Sequence, residues 1–224
     1  MTEDKADPTR EGRVARRQKR NRAALIRAAS DVMSEKGIDA ATMLEIADRA
    51  DMGAGTVYNY FRSKDELAVA VLEEIMQDLA LRVEQAGEEI DDPAQVYAMM
   101  LACVLETAIS DPRWRQLLER SGIVADAMAQ RIGPFAIDLL KRGGARGRFW
   151  SGDARLSWQM TTHAIVGVAL SALRAGAAPE SLPAATLRLL CLAGLSRQDA
   201  AELLARPRPD LPPEEALRSL EAER

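Results

Sequence analysis

The 224-residue sequence predicts an all-α protein: a three-helix N-terminal domain containing a helix-turn-helix, joined by one long helix to a larger α-helical body. Three observations carry this expectation. Apolar residues recur at i, i+3, i+4 and i+7, the spacing of one helix face, in segment after segment. Helix punctuation falls between those segments: Gly37 and Gly87 as stops, Ser63 with Glu66 as a capping box, and Asp92-Pro93 and Asp111-Pro112 as a cap followed by proline at the first helical position. Between Met43 and Phe61 the apolar stripe is broken once, at Asp51-Met52-Gly53, leaving two short helices and a tight turn.

Composition sets the outer bounds. Hydrophobic residues make up 47% of the chain and aromatics only 4%, so a core must be built from Leu, Ala, Val, Ile and Met. Cys103 and Cys191 lie far apart in apolar helical surroundings and have no ligand-like spacing, which predicts buried thiols and neither a disulfide framework nor a zinc site. The longest apolar stretch is read as Ala164 to Ala172, less than half of a membrane span, and the N-terminus lacks the apolar core of a signal peptide. A cytoplasmic protein with no membrane association is expected.

Element by element, residues 1–19 are expected to be a basic disordered arm, followed by a helix-turn-helix domain over 20–66. Its first helix runs from about Arg20 to Lys36, with Leu25, Ala28, Ala29, Val32 and Met33 on one face. Thr42 caps a second helix carrying Met43, Ile46, Ala47 and Ala50, and Gly53 opens a third from Ala54 to about Phe61. The body is assigned to 67–205. The long helix carries Leu67, Val71, Ile75 and Leu79 before Gly87. Helices follow at about 93–109, 112–120 and 123–141, the last stopping at Gly143-Gly144, with a loop through Arg148 that fits no nucleotide-binding fingerprint. Then come 153–175, the most apolar, and 182–193 and 197–205. Pro207, Pro209, Pro212 and Pro213 mark 206–224 as a proline-rich tail.

The third helix has an unusual outward face. Solvent-facing helices normally carry Lys, Glu and Arg, but this one presents Ala54, Gly55, Thr56, Tyr58 and Asn59. Small residues permit close approach to another surface, and Thr, Tyr and Asn donate to phosphates or reach base edges. Packing of the small residues against their own domain is the ordinary alternative.

Charge placement favours DNA. The chain is net −4, yet residues 8–27 hold eight cations against Glu11 alone, a local +7 that leaves −11 for the remainder. Such asymmetry suits a phosphate-binding arm on an acidic body, through contacts to phosphates or the minor groove. Lys64 stands in the first turn of the long helix, where the macrodipole disfavours a cation, a position that a nearby phosphate explains.

Residues 22–67 resemble the DNA-binding domain of the TetR family of bacterial transcriptional regulators. The matching residues are Arg22, Leu25-Ile26, Ala28-Ala29, Gly37, Thr42, Ile46-Ala47, Ala50, Gly55-Thr56-Val57-Tyr58, Tyr60-Phe61, Ser63-Lys64 and Leu67. The chain departs from the family pattern at Asp51, where Gly is usual in the turn, and at Gly53, where Ser often caps the recognition helix. The expected DNA contacts are Arg16, Arg17, Arg20, Arg22, Thr42, Ala54, Gly55, Thr56, Tyr58, Asn59 and Lys64. The resemblance also implies a dimer, and the same seam follows from an apolar 153–175 helix that its own body cannot cover on every side. With 182–193 it would form a four-helix interface.

For the body, Met99, Cys103, Trp114, Met128, Trp158 and His163 are expected to line a pocket for a small, mainly apolar effector, because methionine adapts to variable apolar shapes. Ordinary core packing is the competing account for each residue taken singly. His163 is the sole histidine, so it cannot by itself build a catalytic triad or a multi-histidine metal site; no nucleophile and base stand in a recognisable catalytic sequence, and an enzyme is not expected. No cofactor is expected. These readings combine into a homodimeric repressor that binds a palindromic operator in double-stranded DNA and is released by its effector. The alternatives are a ligand-independent dimeric DNA-binding protein and a helical protein-interaction module.

Overall fold

The computed structural model describes residues 8–118, 121–150, 152–175 and 182–213. The first part of the expected arm, 1–7, the end of the 112–120 helix and the tail beyond 213 lie outside these. The chain divides into two compact units at Val71/Leu72. Among the described residues there are helices and no strand.

The first unit contains α1 (Pro8–Lys36), α2 (Met43–Arg49), α3 (Ala54–Tyr60) and the start of α4 (Lys64–Ala86). α1 begins well before the expected Arg20, so the segment expected to be disordered is helical from Pro8 onward. Its Arg, Gln, Lys and Ala are good helix formers, but residues 12–20 are all exposed and leave no apolar period to read. Leu25, Ala29, Met33, Ile46, Ala47, Val57, Phe61 and Leu67 are buried in this unit. Met43 and Ala50, on the same expected stripe of α2 as Ile46 and Ala47, are half-buried.

The α2–α3 turn is built as its residues require. Asp51 adopts φ 52°, the left-handed region, and Met52 N–H donates to the Ala47 carbonyl at 2.9 Å, closing the end of α2. Gly53 then caps α3 in extended conformation without a side-chain bond.

The second unit is organised around α5 (Pro93–Ser110), which packs against α6 (Pro112–Leu117), α8 (Gly133–Ala145), α9 (Ala154–Ala175), α10 (Leu182–Leu192) and α11 (Arg197–Ala205). α7 (Ser121–Arg131) packs on α8 and α9. Two Asp-Pro starts are confirmed: Asp92 accepts from Ala94 N–H at 3.0 Å and Asp111 from Arg113 N–H at 2.8 Å. α5 is long and apolar enough to cross a membrane, which corrects the choice of Ala164–Ala172 as the longest apolar stretch; 67% of it is buried inside the body.

Two further expectations are corrected. The single helix at 123–141 is two, α7 and α8, because Pro134 in the first turn of α8 lacks the N–H that a continuous helix would use. α8 runs on through Gly143-Gly144 to Ala145 where a loop was expected. Gly143 is needed there as a helical residue without a side chain, since a Cβ would collide with the Phe149 ring.

α9 is less apolar all round than its sequence suggested. Trp158, Ile165, Val166 and Ala169 are buried within the subunit, together with Thr161 and Thr162. The remaining face, Leu156, Met160, His163, Gly167 and Ser171, is exposed.

Candidate nucleic-acid interface and effector cavity

The helix pair is held by ion pairs that link it to α1. Arg49 makes two bonds to Glu35, at 2.9 and 3.0 Å, and Lys36 bonds Glu45. Glu45 also completes a capping box with Thr42: its N–H donates to Thr42 Oγ1 at 3.2 Å, and its carboxylate accepts from Thr42 N–H at 3.1 Å. The Lys36 bond, followed by those from Thr42, holds the Glu45 carboxyl below its ordinary pKa, and Arg49 does the same for Glu35. Sequence spacing missed these pairs, because their partners lie 9 and 14 positions apart on different helices.

On this frame α3 turns Val57 inward and leaves Ala54, Gly55, Tyr58 and Asn59 exposed, with Thr56 half-buried. Tyr58 is 56% exposed, so its phenol extends from the unit. A close-approach surface of small residues beside a phenol and an amide is therefore present. Arg16, Arg17, Arg20 and Arg22 are exposed along α1. Arg16 Nε donates to Gly12 carbonyl at 3.2 Å, and the Arg22 guanidinium lies 5.1 Å from the centre of the Phe61 ring.

Thr42 and Lys64 have internal roles. The Thr42 hydroxyl is engaged by the cap, donating to Glu45 at 2.9 Å. Lys64 Nζ donates to the Asp39 carbonyl at 2.6 Å, tying the start of α4 to the α1–α2 connection. Ser63 caps α4 through Glu66 N–H at 3.1 Å, while the Glu66 carboxylate accepts from Arg62 N–H at 2.8 Å.

In the body the expected effector residues are scattered. Trp114, Met128, Trp158, Cys103 and Met99 are buried, whereas His163 is exposed on α9 with its Nδ1 2.9 Å from the Gln159 carbonyl. Burial pushes up the Cys103 thiol pKa and the Tyr97 phenol pKa. Trp114 Nε1, Trp158 Nε1 and Thr162 Oγ1 are buried and make no hydrogen bond among the described residues. A cavity of about 190 Å³ lies elsewhere, between α5, α10, α11 and residues 206–209, and of the six expected residues Met99 lines it.

Comparison with known proteins agrees with this architecture. The profile described as "Bacterial regulatory proteins, tetR family" matches residues 25–71, and that described as "Tetracyclin repressor-like, C-terminal domain" matches 92–206. The transcriptional repressor KstR of Mycolicibacterium smegmatis is 29% identical over 118 residues, 53% of this chain and 57% of KstR. The transcriptional activator FasR of the same organism is 42% identical over 74 residues, 33% of this chain and 34% of FasR. The chain thus spans about half, or less, of the length of these curated relatives. A crystal structure of RolR with its ligand resorcinol is similar over 88% of this chain and the whole of that one, at 28% identity and a TM-score of 0.79. These relatives are regulators and not enzymes. With profiles covering both the N-terminal helices and the body, the chain belongs to the TetR family of bacterial regulatory proteins.

Proposed function

We propose that the chain is a sequence-specific DNA-binding transcriptional regulator, a cytoplasmic homodimeric repressor released from a palindromic operator by a small, mainly apolar effector. The observation that carries this reading is the exposed face of α3, where Ala54, Gly55, Tyr58 and Asn59 present no charged side chain. A two-turn helix with such a face fits a major groove at close range, and the exposed arginines of α1 supply sequence-independent attraction to phosphate.

Two such units must be joined to read a palindrome. The exposed α9 strip of Leu156, Met160, Gly167 and Ser171 supports pairing with a second copy, since its small residues let helices approach and its apolar residues gain by burial. The effector reading is supported by the likeness to RolR, whose structure holds its ligand resorcinol, and the repressor reading by the likeness to the repressor KstR. An effector of this kind would lower operator affinity by a coupling of about 1–3 kcal/mol, and DNA would lower effector affinity by the same factor.

Footprinting of the purified full chain on genomic fragments tests the reading. A small number of protected sites with twofold symmetry is the expected result. Uniform, unselective binding would favour the ligand-independent protein, and no binding to any fragment would favour a protein-interaction module.

A further inference from the structure

The segment read from the sequence as a proline-rich tail is, over residues 206–213, fastened to the body. Arg206 donates to Gln95 at 2.9 Å and reaches Asp92 at 3.5 Å. Arg208 grips Glu106 with two bonds, at 2.9 and 3.1 Å. Further along, Arg82 Nε donates to the Pro212 carbonyl at 2.6 Å. Pro207 and Pro209 restrict the backbone between these anchors, so holding it in one path costs little conformational entropy. The segment is a strap.

The strap forms one wall of the 190 Å³ cavity. Its apolar lining includes Ile90, Ala98, Met99, Leu182, Leu203 and Leu204. A cavity near 150 Å³ holds one benzene-sized ring, so a ligand with a single ring or a short branched chain fills this one. Charged groups line the cavity at two places: Arg206, bonded to Gln95 near the start of α5, and the Arg208–Glu106 pair eleven residues further along that helix. The Arg208–Glu106 side chains are 42% and 46% exposed, and such a pair is weakly held. Glu106 remains solvated if it is released, while the planar Arg208 fork matches any carboxylate placed against it.

We propose that this cavity is the effector site and takes a small monocarboxylate with a single-ring-sized apolar body, for which Arg208 gives up Glu106 while the strap stays closed over the ligand. This inference rests on the regulator reading, and it moves the effector away from the tryptophans that the sequence singled out.

Calorimetric titration of the full chain with benzoate and with neutral benzamide tests it, alongside Arg208→Gln and Met99→Trp. Benzoate is expected to bind the wild type at least tenfold more tightly than benzamide. Arg208→Gln should reduce benzoate to the benzamide level, and Met99→Trp, which fills the cavity, should abolish binding of both with helix content unchanged by circular dichroism. Absence of benzoate binding, or binding that survives both substitutions, overturns the proposal. So does benzoate binding that is lost in Trp158→Phe but kept in Arg208→Gln. Failure here with operator binding intact removes the strap site alone, whereas benzoate binding as expected with no preference for any DNA removes the regulator reading alone.

Discussion

Lys64 Nζ donates to the Asp39 carbonyl at 2.6 Å, joining the first turn of α4 to the connection between α1 and α2. The cation is at an unfavourable end of the helix dipole, and this carbonyl compensates in part without DNA. An ammonium has three donors, so others remain for a phosphate. Lys64→Ala should therefore weaken binding to all sequences about equally and lower the slope of log affinity against log salt by about one. Titrations at several salt concentrations measure this, and an unchanged slope would restrict Lys64 to its internal bond.

Asp51 at φ 52° occupies a region that costs an L-residue about 1–2 kcal/mol, less for Asp than for most. Asp51→Gly should stabilise the N-terminal unit by up to about 1 kcal/mol, and Asp51→Val should destabilise it. Urea unfolding of the full chain, followed by amide exchange in α2 and α3, reads the effect.

The legible and illegible parts of the fold divide along this line. Asp51, Gly53, Thr42 and Ser63 act on their immediate neighbours, and their roles followed from sequence. Asp92-Pro93 and Asp111-Pro112 did likewise. The extra length of α1 is hidden because a wholly solvated helix has no apolar period, and Pro134 lies inside a stretch that otherwise reads as one helix. Arg208 and Glu106 meet across 102 positions, a pairing no local pattern encodes. The cavity has the same origin, with walls from three helices and the strap. His163 stands in a helix of apolar character, yet the exposed face it occupies depends on how α9 is rotated in the packing.

Thr42 and Glu45 give the N-terminal unit an acid limit. Because the Glu45 and Glu35 carboxyls lie below their ordinary pKa when folded, the stability they contribute is present above the usual glutamate value, about 4.3, and is lost as pH falls through the lower folded values. Urea midpoints for this unit should therefore fall from pH 6 to pH 3.5, and by less in Glu45→Gln. Thr42→Ala should cost about 0.5–2 kcal/mol through loss of the cap.

The α9 strip offers a direct test of assembly. Gly167→Arg should convert a dimer to a monomer in light scattering at micromolar concentration, because it adds bulk and charge to an exposed position of the proposed seam. Arg155→Glu, on an exposed position outside that strip, should leave the dimer intact. Equal behaviour of the two variants would move the interface elsewhere.

The most direct test of the account is selection of bound sequences from random DNA with the full chain, repeated with Thr56→Ala and Asn59→Ala. The wild type should recover one motif with twofold symmetry, and each variant should lose preference at particular base pairs, by about 1–3 kcal/mol per lost contact. Recovery of no motif, or of the same motif at the same strength by all three proteins, would contradict the assignment of base reading to the outward face of α3.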